Sequence, residues 1–137
     1  MACLAGAAAC TRPSGLVAAD GRVVFADGTP VTHGTVEFTP RGGGPAARAA
    51  IDTEGRFSLR TGGTPGAVPG DHDVIVLQLT VAEGVVPHRH VPPATGRPHR
   101  LVDPQHARPG RSGLAARLES GTANDVVLTV DQAPAPR

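Results

Sequence analysis

Four of the six histidines, His88, His90, His99 and His106, fall within one stretch of about thirty residues, and imidazole readily holds a transition metal or moves a proton near neutral pH. His88-Arg-His90 is the sharpest part of the set. In an extended chain, residues two apart project to the same side, so these two rings face one ion together, with His99 and His106 as candidates to complete the shell. The competing reading is a solvated loop, because no cysteine joins the set, its spacing is irregular and prolines interrupt it. A second constellation is Asp71-His72-Asp73, where a carboxylate beside an imidazole is the arrangement of a general base. Packing is the stronger reading there: His72 starts an apolar strand and points inward, while both aspartates flank it on the other side. Ser14, Ser58, Ser112 and Ser120 read as turn or strand-surface residues. Cys3 and Cys10 precede the first strand, so neither staples the fold, and acyl transfer of the serine or cysteine type lacks an evident nucleophile. The residues therefore point to a chain that is not an enzyme and needs no cofactor.

The elements that must carry these residues are short strands. Gly21-Arg-Val-Val-Phe25, Thr35–Thr39, Ala47–Ile51, Arg56–Leu59, His72–Thr80, Leu114–Leu118 and a last run through Val126, Leu128 and Val130 alternate apolar and polar side chains between Gly, Pro and Asp clusters. Such faces are buried by packing two sheets together, so the pattern predicts an all-β sandwich of seven strands. Phe25, Phe38 and Phe57 all fall on the expected inner faces, an agreement across separate segments that fixes the register. Val74-Ile-Val-Leu77 is apolar on both faces and belongs inside a sheet. Asp52-Thr-Glu-Gly55 is a tight turn. Thr61 to Gly70 is too rich in Gly and Pro for regular structure, and Ala82 to Ser112 reads as one long Pro/His/Arg-rich loop with a net charge of about +3, of the kind that is functional or mobile.

A chain of 137 residues makes one domain and one aliphatic core, since it holds three Phe and neither Tyr nor Trp. The formal charge of +1 and the scarcity of aromatic stacking platforms exclude a nucleic-acid partner. All thirteen basic residues are arginine, the codon bias of a GC-rich genome, so single arginines carry little weight at this level. The expected organisation is a leader over 1–10, a linker over 11–20, the sandwich over 21–131 and a solvated tail over 132–137. Ala7-Ala-Ala-Cys10 is similar to a bacterial lipobox, in which Cys10 is acylated; either it is the end of a longer signal peptide or the segment is a plain Ala-rich leader. No other stretch approaches the roughly 18 apolar residues of a membrane span. Contact with a membrane is expected only through a lipid anchor.

Taken in order, Gly21-Arg-Val-Val-Phe-Ala-Asp-Gly-Thr-Pro-Val31, Gly34-Thr-Val-Glu-Phe-Thr-Pro40, Ile51-Asp-Thr-Glu-Gly-Arg-Phe57, Thr61-Gly-Gly63, Pro69-Gly-Asp-His-Asp-Val-Ile-Val76, Asp103-Pro104 and Ser112-Gly-Leu114 resemble a known family over most of the chain. This is the carboxypeptidase regulatory-like, transthyretin-like domain of small exported lipoproteins of planctomycete-type bacteria. The resemblance implies a seven-stranded, prealbumin-like Greek-key sandwich, export, lipid anchoring on the periplasmic or outer side of the cell envelope, and no established chemistry. The chain departs from the family pattern at His72, where an aromatic is usual, and at Arg100-Leu101. Two enzyme classes on related folds are excluded by residues: the purine-pathway hydrolases end in a Tyr-Arg-Gly-Ser type motif that this chain lacks, and intradiol dioxygenases use tyrosine ligands to iron. The expected function is a non-catalytic binding or structural module of the envelope. Its candidate partners are an envelope polysaccharide or an envelope protein, between which the residue types do not choose. The alternative is a metal-binding or sequestering protein using the loop 88–106.

Overall fold

The computed structural model describes residues 15–78 and 101–134. Its nine strands are β1 (Ala19–Phe25), β2 (Thr35–Pro40), β3 (Ala47–Ala50), β4 (Arg56–Ser58), β5 (Arg60–Thr61), β6 (Thr64–Pro65), β7 (Gly70–Leu77), β8 (Leu114–Leu118) and β9 (Asn124–Val130). They form a three-stranded sheet, β4-β1-β9, and a six-stranded sheet, β6-β5-β3-β2-β7-β8. The fold is a β-sandwich. The strict alternation of β1, buried at Ala19, Gly21, Val23 and Phe25, is what turns one face of that strand toward the larger sheet.

All three phenylalanines are inside, with Phe38 and Phe57 meeting across the gap between the sheets at a centroid distance of 5.8 Å and 53°. The remainder of the core is aliphatic, from Val23, Val31, Val36, Val74, Val76, Leu118, Leu128 and Val130. β7 lies between β2 and β8, and both Ile75 and Val76 are buried, as a strand apolar on two faces requires.

Two glycines are dictated by geometry. At Gly21 a Cβ would stand 2.2 Å from the Val126 carbonyl and 2.6 Å from the Phe57 ring, so only glycine lets β9 and Phe57 close on β1. Gly55 has φ +82°, and a Cβ there would stand 2.8 Å from the Val23 carbonyl. It completes the expected turn, where Asp52 Oδ1 accepts from the Glu54 and Arg56 amides at 2.8 and 2.9 Å.

Four features depart from what the sequence pattern predicts. The Gly/Pro-rich segment after Thr61 contains a minimal hairpin, β5 and β6, reached when the chain crosses from the small sheet to the large one at buried Leu59. Strands of two residues are too short to leave a periodicity. Leu16 is buried and β1 starts at Ala19, so the chain joins the fold within the segment expected as linker. The strand expected over His72–Thr80 runs from Gly70 to Leu77. Finally, residues 101–112 are a packed cap and not the end of an open loop.

The first and last strands pair in parallel, Ala19 with Asn124 through Phe25 with Val130. This pairing sets two poles. At the N-terminal pole, Val17 bridges Ala67, and the Asn124 side chain joins the β8–β9 turn to the incoming chain, accepting from Glu119 N at 2.8 Å and donating to Ala18 O at 3.1 Å. At the other, the cap pole, Val102 bridges Gln132 just beyond the end of β9. At a rise of about 3.3 Å per residue, the seven residues of β1 hold the two poles roughly 20 Å apart.

Candidate functional site

The cap is built from a short 3-10 turn, Pro104–Ala107. Asp103 starts it, its Oδ1 accepting from Gln105 N at 2.9 Å, and Pro104 follows at the first position of the turn, where a missing N–H costs nothing. His106 is its centre. The ring is buried, Nδ1 donates to the Ser112 carbonyl at 2.8 Å, and Nε2 accepts from the Asp131 amide at 3.0 Å. The Asp131 carboxylate lies farther from the same nitrogen, at 3.4 Å, so the amide bond defines the ring as the neutral Nδ1–H tautomer. Ser112, also buried, donates through Oγ to the Val74 carbonyl of β7. His106 and Ser112 thus tie β9 of the small sheet to β7 of the large sheet. Ser112, expected as a turn or strand-surface residue, sits in the bend before β8 but is buried, and its hydroxyl satisfies the carbonyl of buried Val74 in β7.

On the outside of the cap is an open cleft of about 600 Å³, bordered by Asp103, Pro104, Gln105, Arg108, Arg111 and Pro134. Asp103 is half-buried and fixed by its turn, whereas the guanidinium groups of Arg108 and Arg111 have no ion pair or side-chain hydrogen bond among the described residues. Several arginines elsewhere are committed. Arg41 pairs with Asp73 at 2.9 Å, Arg48 with Glu37 at 2.6 Å, and Arg117 with Glu119 at 2.8 Å and Asp71 at 3.4 Å. The hydrogen bond to Glu119, then the charges of Glu119 and Asp71, raise the Arg117 pKa further above its ordinary value.

These same pairs decide the Asp71-His72-Asp73 constellation. Asp71 and Asp73 turn outward to Arg117 and Arg41, while His72 is fully buried, its Nε2 donating to the Val68 carbonyl at 2.6 Å. The ring leans on Phe38 at a centroid distance of 5.8 Å, and Nδ1 has no hydrogen-bond partner among the described residues. The two carboxylates and the imidazole are on opposite faces of β7, so no carboxylate orients the ring from within its own motif. His72 is a packing residue.

Of the candidate metal ligands, His88, His90 and His99 lie outside the described residues, as does the lipidation candidate Cys10. His106 is described, and both its ring nitrogens are engaged within the fold, so coordinating an ion would require breaking the cap. Among the described residues no group of three or more His, Cys, Asp or Glu side chains converges. No described helix is long and apolar enough to cross a membrane.

No protein-family profile, curated protein or solved structure matches this chain. What the site can do therefore follows from its own geometry. The cleft residues Arg108 and Arg111 are invisible as a pair in the sequence, where they look like two of thirteen arginines. The signal that marks their setting is Asp103-Pro104, a capping residue followed by proline, which announces a helical turn within an otherwise irregular stretch.

Proposed function

We propose that the chain is a non-catalytic binding or structural module of the cell envelope, exported and held to the membrane by a lipid on Cys10, of the carboxypeptidase regulatory-like, transthyretin-like kind. The observation that carries this reading is the separation of the poles. The chain enters the sandwich at one end, while Gln78, Leu101 and the cleft-bearing cap gather at the other, with the Gln78 side chain accepting from Val102 N at 2.8 Å. Leu16, the first buried residue among those described, lies six positions after Cys10, a length of chain that reaches at most about 20 Å. An acylated Cys10 would hold the N-terminal pole against the bilayer and present the cap outward. The commitment of His72 and His106 to holding the fold supports the non-catalytic part.

Mass spectrometry of the protein from its native membrane tests the anchor. A diacylglyceryl adduct on an N-terminal Cys10 is expected; an intact Met1 in the soluble fraction would overturn export and anchoring together. The metal-binding alternative rests on His88, His90 and His99 without His106. Calorimetric titration with zinc and copper should show no binding that is lost in the His88→Ala, His90→Ala double variant. A one-to-one isotherm lost in that variant would replace the envelope-module reading with metal sequestration.

A further inference from the structure

We infer that the cleft on the cap is a recognition site for a carboxylated sugar, a hexuronate residue within an acidic polysaccharide. The inference deepens the binding-module reading and rests on it for the direction in which the cleft faces. Two guanidinium groups, Arg108 and Arg111, border one cleft with no anionic partner among the described residues, and the planar fork of arginine is suited to bidentate bonding of a carboxylate or phosphate.

The remaining lining selects between these anions. Asp103 is in the same cleft with one carboxylate oxygen taken by the Gln105 amide, which leaves the other as an acceptor. A phosphate dianion is repelled by that charge more strongly than a monoanionic carboxylate is, whereas hydroxyl groups beside a carboxylate find in Asp103 an acceptor and in Gln105 an amide that both donates and accepts. Pro104 and Pro134 add flat apolar surfaces for the C–H face of a sugar ring. Among the described residues no aromatic side chain borders the cleft to stack a base. Its position at the cap pole turns it away from a bilayer to which Cys10 would be attached, so headgroups of that bilayer are not its ligand.

Full-length protein titrated by calorimetry with trigalacturonate, with neutral galactotriose and with inorganic phosphate tests the assignment. Trigalacturonate should bind at least roughly tenfold more tightly than either of the others, and Arg108→Gln and Arg111→Gln should each weaken it roughly tenfold, the loss of one charge-assisted bonding group. Asp103→Asn should also weaken it, because the amide still caps the turn but no longer offers a free acceptor. If the site were a general anion patch, that substitution would tighten binding. Thermal midpoints should be the same in both arginine variants, whose side chains are exposed. Absence of trigalacturonate binding, phosphate binding as tight, or unchanged affinity in both arginine variants would overturn the assignment. The Cys10 adduct is read on separate material, so failure here and failure of the anchoring reading are distinguishable.

Discussion

The two poles of the sandwich use the same side chains in opposite ways. Near the N-terminal pole arginine is structural: Arg117 and Arg41 are tied to Asp71, Glu119 and Asp73 across neighbouring segments, and Asn124 stitches the β8–β9 turn to the incoming chain. At the cap pole the structural work is done underneath, by buried His106 and Ser112, and the arginines above them are left to solvent. Burying neutral hydrogen-bonding groups inside a cap frees the charged residues outside it for a ligand. A surface already stitched by ion pairs has no such capacity.

Substitutions should break this contrast unequally. The largest effect belongs to the frame that sets the poles apart: Gly21→Ala drives a methyl into the Val126 carbonyl and the Phe57 ring, and should cost about 3 kcal/mol in chemical denaturation. Next is His106→Ala, which deletes the bond to the Ser112 carbonyl within the cap and the bond to the Asp131 amide just after β9, and leaves a void. It should cost about 2–3 kcal/mol, with the loss of amide-exchange protection concentrated in residues 101–112. Asn124→Ala should cost about 1–2 kcal/mol, loosening the opposite pole while leaving exchange in the cap unchanged. His72→Phe sharpens the comparison between the two buried imidazoles. It forfeits the Val68 bond but removes a buried ring nitrogen that has no partner among the described residues, and the thermal midpoint should move little, whereas His106→Phe should open the cap.

Much of the frame is legible in the sequence because it depends on period-two burial, which each strand carries locally. Phe25, Phe38 and Phe57 mark their inner faces independently, and Asp52 to Gly55 announces its own turn. The direction of His72 is legible for the same reason. What is not legible depends on distant partners. Nothing within Ala19–Phe25 or Asn124–Val130 states that these two strands pair in parallel, since the rest of the domain forms the crossover between them. The cap reads as loop because its burial rests on a histidine and a serine whose acceptors and donors, at Val74 and Asp131, lie far along the chain or in another segment. Composition shows that such residues are polar; it does not show that their polarity is satisfied inside. The cleft inherits that opacity, since Arg108 and Arg111 become a pair only once the turn from Pro104 to Ala107 is folded.

The separation of the poles is the claim on which both functional readings stand, and a single distance tests it. Spin labels on cysteines replacing exposed Asp20 in β1 and exposed Gln105 in the cap, with Cys3 and Cys10 changed to serine, should report by pulsed dipolar spectroscopy a distribution centred at roughly 20 Å or beyond, the rise of the strand between them. A narrow distribution well below that value would place the cap beside the incoming chain and contradict the account.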